Sequence, residues 1–456
     1  MSIEAPGVLN YDEAALRNLA DDVIARVRRA GADAADVLMV SGASLSASCR
    51  MGEVEEVERS DGQEFGLRAF IGKRQAIVSS SNFSKNSLDQ LIDRVVAMVK
   101  LAPEDPYCGL AERELLAKTF PDLDICDATE LEMPQLIDVA KRAEGAARAI
   151  PGITNSEGAG ASCSHSRVVL ATSGGFSGSY ASSSFGASCS VLAGEGTAMQ
   201  RDYEYSSMRH HGDLASPEEI GIVAAQRALG RLNPRKIKTQ QVPVIYAPRV
   251  SNSLLGHVAG AISGASVARG TSFLKDRLGK QIFGKGVTII DDPHRRRGLR
   301  SKPFDGEGVA NGRRAMIEDG VLTGWLLDSA SARQLGLRST GNAARGSGSA
   351  PSPATSNFYM AAGGASAVEM ISTLKQGLFI TELIGMGVNP VTGDYSRGAS
   401  GFWIENGQFT WPVSEITVAG NLLDMFLHLT PAGDLEFRYG MDAPTILIEG
   451  MTIAGE

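Results

Sequence analysis

"NPRKIKTQQVPVIYAPRVSNSLLGHVAGAISGAS", residues 233–266, marks the turning point of a 456-residue chain. Its polar, basic head, 233–241, reads as a linker. "VPVIYA" (242–247) reads as a strand. The following stretch, 253–266, reads as a helix of small residues that carries His257, one of six histidines. Helices and strands interleave before this point, and strands dominate after it. The expected fold class is α+β with two domains. Residues 1–235 would form an N-terminal α/β-mixed domain with an antiparallel sheet and helices. Residues 236–456 would form a C-terminal strand-rich domain that holds the small-residue helix.

Working back toward the N-terminus, residues 11–32 space Leu16, Leu19, Ala20, Val23, Ile24 and Val27 as one helix face, with Gly31 as a stop. Short alternating runs follow at 36–40, 44–50, 53–59, 64–70 and 75–81, with a hairpin turn at Gly72-Lys73-Arg74. A helix is expected from Ser87 to Leu101, with Gln90 completing a capping box. Another covers Met133–Ala149 and stops before Pro151. Residues 152–209 are rich in Ser, Gly and Ala and alternate as a β-meander. A helix over Pro217–Leu232 closes this half.

Working forward, strands are expected at 286–291 and in a hairpin over 314–328 that turns at Asp319-Gly320. Residues 341–356, "GNAARGSGSAPSPATS", read as a long loop or mobile flap. "FWIENGQFTWPV" (402–413) is a hairpin turning at Asn406-Gly407. The last residues, 435–455, are strand-like. No period marks a repeat protein.

Composition narrows the function classes. Apolar residues make up 43% of the chain and charged residues 21%, as in ordinary globular proteins. The net charge of -8 argues against a general nucleic-acid or anionic-membrane surface. No apolar run approaches the roughly 18 residues of a membrane span. The N-terminal stretch "MSIEAPGVLN" lacks the basic and apolar regions of a signal peptide. Five cysteines, none spaced as CxxC and none after Cys189, read as free cytosolic thiols.

Residue-level tests for chemistry find no complete catalytic set. No histidine is followed by Glu, so HExxH is absent. His257 has no ligand-type neighbour within four positions. His210 and His211 are adjacent and would point apart on a strand. His294 heads the basic run "HRRRGLRSK" (294–302), which suits a phosphate or an acidic partner and equally a solvated loop. GxSxG, Walker A and a Rossmann fingerprint are missing. Asp305 and Glu307 in "FDGEGVANG" (304–312) suit an acid/base pair or a turn cap. Asp394, Tyr395 and Arg397 in "NPVTGDYSRGASG" (389–401) suit a binding rim or a structural loop.

Four stretches together carry a resemblance. They are 284–293, 301–343, 387–408 ("GVNPVTGDYSRGASGFWIENGQ") and "ITVAGNLLDMF" (416–426). They resemble the TldD/PmbA family, and its PmbA/TldE branch more than its TldD branch. The resemblance implies two related subunits in a cytoplasmic protease acting on unfolded or small peptides, microcin precursors and an antitoxin among them. The TldD-type subunit would carry zinc on an HExxxH helix with a cysteine ligand near its C-terminus. The TldE-type subunit would lack that site. PmbA proteins are also labelled modulators of DNA gyrase.

Set against the TldD-like helix, Leu254 and Leu255 match its leucines. Gly256 stands at the first His position, His257 at the general-base Glu, Ala261 at the second His and Ser263 at a later Glu. Gly264 keeps a glycine. The resemblance therefore implies no catalytic residue and no metal in this chain, with zinc only in a TldD-like partner. Gly256, Ala259, Gly260, Ala261 and Gly264 would permit close helix packing. The expected partners are a TldD-like subunit or a second copy, and an unfolded peptide. No membrane or direct nucleic-acid contact is expected. Asp305, Glu307, Asp394, Tyr395 and Arg397 are candidate substrate or interface residues. Two other readings stay open: a homodimeric regulator of the gyrase-modulator type, and a peptidase active alone through non-zinc residues.

Overall fold

The computed structural model describes residues 13–455. The segment tested for a signal peptide, 1–10, lies outside the described residues.

The first half builds one antiparallel sheet with helices on one face. Helix α1 (Glu13–Arg29) leads into β1 (Ala34–Arg50), β2 (Glu53–Ile71) and β3 (Arg74–Ser80). Then come α2 (Lys85–Leu101), α3 (Met133–Arg148), β4 (Ile153–Thr172), β5 (Ser177–Ala193), β6 (Gln200–Met208) and α4 (Pro217–Gly230). The strand order is β3-β2-β1-β4-β5-β6. Odd-numbered residues of β1 and β4 bury beneath the helices: Val37, Met39 and Val169 with α1 and α2, Cys49 and Ala159 with α3 and α4. This follows from the two-residue period of a strand.

Each of β1 and β2 was expected as two short strands. Each is one long strand, because Ser41-Gly42-Ala43 and Ser60-Asp61-Gly62 stay in register, with Gly42 opposite Gly62. Small residues do not break a ladder whose facing main-chain groups find partners. Helix α2 starts ahead of the expected Ser87. Ser84 caps it and its side chain accepts from the Ser87 N–H, so Ser87 is a receiver of the cap and not its source. The small residues of this half serve close contact. A Cβ added at Gly221 of α4 would sit 2.0 Å from the Ala143 carbonyl oxygen of α3.

The second half builds two further sheets around one core. β7 (Gln240–Tyr246) enters α5 (Pro248–Ala261) and the short α6 (Gly264–Ala268). β8 (Ile289–Asp292), β9 (Arg314–Glu318), β10 (Val321–Leu322), α7 (Ser329–Leu335), β11 (Ala343–Ala344), β12 (Ser352–Pro353) and β13 (Asn357–Met360) follow. The chain ends through α8 (Ala367–Ser372), β14 (Gln376–Ile384), β15 (Asp394–Glu405), β16 (Gln408–Asn421), α9 (Leu422–Leu427), β17 (Leu429–Pro431), β18 (Met441–Asp442) and β19 (Ile446–Ala454). One sheet runs β16-β15-β14-β7-β19-β17, and a β16–β19 pairing curls it toward closure. The other runs β10-β9-β8-β13-β18. Helix α5 packs against strands of both sheets, β14 on one side and β13 and β18 on the other. Both expected turns appear with left-handed residues, at Asp319-Gly320 and Asn406-Gly407.

Three expectations are corrected. The linker 233–241 is docked: Gln240 and Gln241 pair with β19, Ile237 is buried, and the Arg235 guanidinium lies over the Trp411 ring. The stretch 253–266 is two helices, because Ile262 leaves helical geometry and Ser263 pairs with Leu326 instead. The flap 341–356 is tied down. The Ala343 N–H donates to Asp305, Arg345 Nη1 reaches Asp36 Oδ1 at 2.6 Å, and the Ser347 hydroxyl donates to Glu64. Arg345 and Asp36 are both buried, and Arg68 holds the second Asp36 oxygen. The segment thus locks the two halves together.

Candidate functional site

Strand β7 ends at Tyr246, and Pro248 at the first turn of α5 pre-sets the helical φ. Leu254, Leu255, Val258 and Ala261 then face the core. That periodicity turns His257 toward β15, where Tyr395 and Arg397 lie two apart on one strand face. The His257 and Tyr395 rings meet edge to face at 5.9 Å between centroids. The Tyr246 hydroxyl donates to the Tyr395 hydroxyl at 3.4 Å. His257, Tyr395 and Arg397, singled out separately in the sequence, form one cluster. Tyr246 reads in the sequence only as part of the strand 242–247; its position at the mouth of α5 is the available signal.

Burial, with the Arg397 charge beside it, pushes the His257 imidazole down to about 4, so the ring is neutral near pH 7. His257 Nε2 and Arg397 Nε are both buried without a hydrogen-bond partner. Burial raises the Tyr395 phenol, and Tyr246 and Arg397 oppose that.

Gly256 and Gly260 do not pack. They are exposed; a Cβ at 256 would meet only Met441 Sδ at 3.9 Å, and one at 260 meets nothing within 4 Å. Gly264 does pack: its added Cβ would lie 2.4 Å from Leu327 and 2.8 Å from the Ser331 hydroxyl. Ala261 is buried, and its carbonyl accepts from the Ser272 hydroxyl.

The other candidates lie apart from this cluster. Asp394 is exposed and closes its own turn through Thr392 and Asn421. Asp305 is buried and accepts from the N–H groups of Glu307, Val309 and Ala343. Glu307 is buried and accepts from the Ser329 N–H. Burial raises both carboxyls, and the Asp305 charge raises Glu307 further. These two acids staple a loop at the junction of the halves and line no open surface. The basic run at 294 stays largely solvated, as the loop reading has it: Arg296 and Arg297 are exposed and pair with Asp124, Arg297 also with Asp213, while Arg295 lies over Phe437. His210 and His211 point apart, one to Asp124 and the other to Phe185.

A cavity of about 540 Å³ opens between α4 and the start of α5. Its arginines are all matched: Arg227 and Arg438 pair with Glu204, Arg231 and Arg249 with Asp202.

Comparison with known proteins places this geometry. Three PmbA/TldA metallopeptidase family models match in order: domain 1 over residues 35–99, the central domain over 126–232 and the C-terminal domain over 239–455. Metalloprotease PmbA of Escherichia coli O157:H7 is 42% identical over 93% of this chain and 93% of its own. The chain belongs to the PmbA/TldD family. The Haemophilus influenzae metalloprotease PmbA homolog is 38% identical over 98% of each chain. A Bacteroides thetaiotaomicron structure, of a protein proposed to modulate DNA gyrase, matches with a TM-score of 0.90 and 26% identity. It covers 96% of this chain and 99% of that one. TldE from Thermococcus kodakarensis shares the fold at a TM-score of 0.86 and 20% identity, over 96% and 100% of the two chains.

The PmbA/TldD family name implies a metal, and the residues present do not fit one. Catalytic zinc takes about three protein ligands. Gly256 and Ala261 carry no donor atom. Among the described residues, no three His, Cys, Asp or Glu side chains come together to hold an ion. His257 faces an arginine cation, which a second cation would repel.

Proposed function

We propose that this chain is the non-catalytic PmbA/TldE-type subunit of a cytoplasmic two-subunit peptidase that degrades unfolded and small peptides. What supports the reading is the α5 helix: the resemblance to a TldD-type helix puts Gly256 and Ala261, which carry no donor atom, at the ligand positions, and His257 stands beside a cation. Zinc belongs to a TldD-type partner in this account. An open sheet edge supports a role in holding peptide. Strand β3 pairs with β2 only over Phe65–Ile71, so Glu53–Glu64 has β1 on one side and no strand on the other among the described residues. Such an edge offers main-chain hydrogen bonds with little sequence demand. Five free cysteines suit a reducing compartment. No helix among the described residues is long and apolar enough to cross a membrane.

Reconstitution tests the reading. Highly purified chain alone should leave an unfolded peptide intact, and cleavage should appear when an equimolar TldD-type subunit is added. Cleavage by the chain alone that persists after further purification would overturn it, in favour of a peptidase active alone. The description of the Bacteroides relative favours a second reading, a regulator of the gyrase-modulator type, which would act as a homodimer in this account. Recovery from native extract without any TldD-type chain would support that one.

A further inference from the structure

Arg397 differs from every arginine of the interdomain cavity. Among the described residues, no carboxylate pairs with it, and its Nε is buried without an acceptor. Its strand neighbour Asp394 is engaged with Thr392 and Asn421. In the same place the His257 Nε2 is buried and equally unmatched. Buried polar groups are normally satisfied, and a buried cation normally has a counter-ion. Tyr395 links the two, its ring against His257 and its hydroxyl oxygen accepting from Arg397, and two unmet nitrogens on either side of it call for a partner with at least two acceptor atoms and a negative charge.

Beside this place the surface of α5 is bare: Gly256 and Gly260 are exposed one helical turn apart, with only Met441 Sδ within 4 Å of a Cβ at 256 and nothing within 4 Å of one at 260. The Tyr395 and His257 rings meet edge to face there. A planar anion of two oxygens fits one guanidinium and one imidazole N–H better than a bulkier, doubly charged phosphate. We infer that the cluster of His257 and Arg397 is a binding site for a peptide carboxylate, set where the zinc helix of related subunits runs. Arg397 Nε–H donates to one oxygen, and His257, in its Nε2–H tautomer, donates to the other. The carboxylate is a chain terminus or an Asp or Glu side chain. This inference rests on the reading of the chain as a peptide-holding subunit, but not on zinc or on the partner.

The test uses the full chain and three fluorescein-labelled hexapeptides of one apolar-polar sequence. The first ends in a free carboxylate, the second in an amide, and the third in an amide with one internal Glu. Fluorescence anisotropy should show the free acid, the Glu peptide or both binding about tenfold tighter than the plain amide, the difference expected for one charge-assisted hydrogen bond. The free acid identifies a terminus reader, and the Glu peptide identifies a side-chain reader. Arg397→Gln should abolish the preference while the plain amide binds as before. Arg397→Lys should keep part of it, and His257→Gln part of it through its amide N–H. Equal binding of all three peptides, no binding of any, or a full preference retained in Arg397→Gln overturns the site. If Arg397→Gln fails to fold, Arg397→Lys and His257→Gln decide: an undiminished preference in both overturns it. None of these results bears on metal content or reconstituted cleavage, so this site and the accessory role fail separately.

Discussion

At the scale of single residues, His257 and Asp305 show how burial sets protonation with opposite consequences. The folded His257 is pushed down to about 4, against about 6.5 when unfolded. A depressed imidazole binds its proton more weakly in the folded state, so its contribution to stability is full above about pH 6.5 and is lost as pH falls toward 4. His257→Phe should therefore flatten the acid limb of stability measured by urea unfolding at a series of pH values; an unchanged limb would contradict the burial argument. The raised carboxyls of Asp305 and Glu307 run the other way. Their contribution is full below the usual carboxylate range and is lost as pH rises through the raised values. Glu307→Gln, which keeps an acceptor for the Ser329 N–H, should gain on the parent as pH rises. Asp305→Ala should cost about 3 kcal/mol or more, because three buried N–H donors lose one shared acceptor.

At the scale of elements, the stretch 253–266 contains glycines of opposite kinds. Gly264→Ala should destabilise by about 1–3 kcal/mol through overlap with Leu327 and Ser331. Gly260→Ala should stabilise by about 0.5–1 kcal/mol, since it removes backbone freedom from an open helix face. Thermal melts of the two variants should shift in opposite directions, and shifts of the same sign would contradict the assignment. The distinction is invisible in the sequence, where both read as packing glycines. Elements whose signals are local were legible: the turns at Asp319-Gly320 and Asn406-Gly407 announce left-handed backbone, and the helix at Met133 ends where expected. Elements that depend on distant partners were not. The Ser/Gly interruptions of β1 and β2 look like breaks until the facing strand supplies hydrogen bonds. The loop at 341–356 looks mobile until Asp36, Glu64 and Asp305 meet it.

At the scale of the molecule, the candidate site was half legible. His257 stood out as a lone histidine among small residues, and Tyr395 and Arg397 stood out in a polar loop. Their meeting is made by the packing of α5 against β15's sheet, which no local spacing encodes. The same holds for the junction of the two halves, where Arg345 and Arg68 flank buried Asp36. Removing Arg345 by Arg345→Ala leaves part of that charge unmatched and should cost about 3–5 kcal/mol in urea unfolding. A loss below about 1 kcal/mol would show that the halves are held by their apolar contacts alone. The central claim concerns the helix at the heart of the second half, in a chain of a metallopeptidase family, where the proposed reading puts Gly256 and Ala261 at the positions of a TldD-type subunit's zinc ligands. Elemental analysis of the purified chain, after incubation with excess zinc and gel filtration, tests it most directly. The account predicts no stoichiometric zinc; one zinc per chain, removed by a chelator together with peptide cleavage, would contradict it.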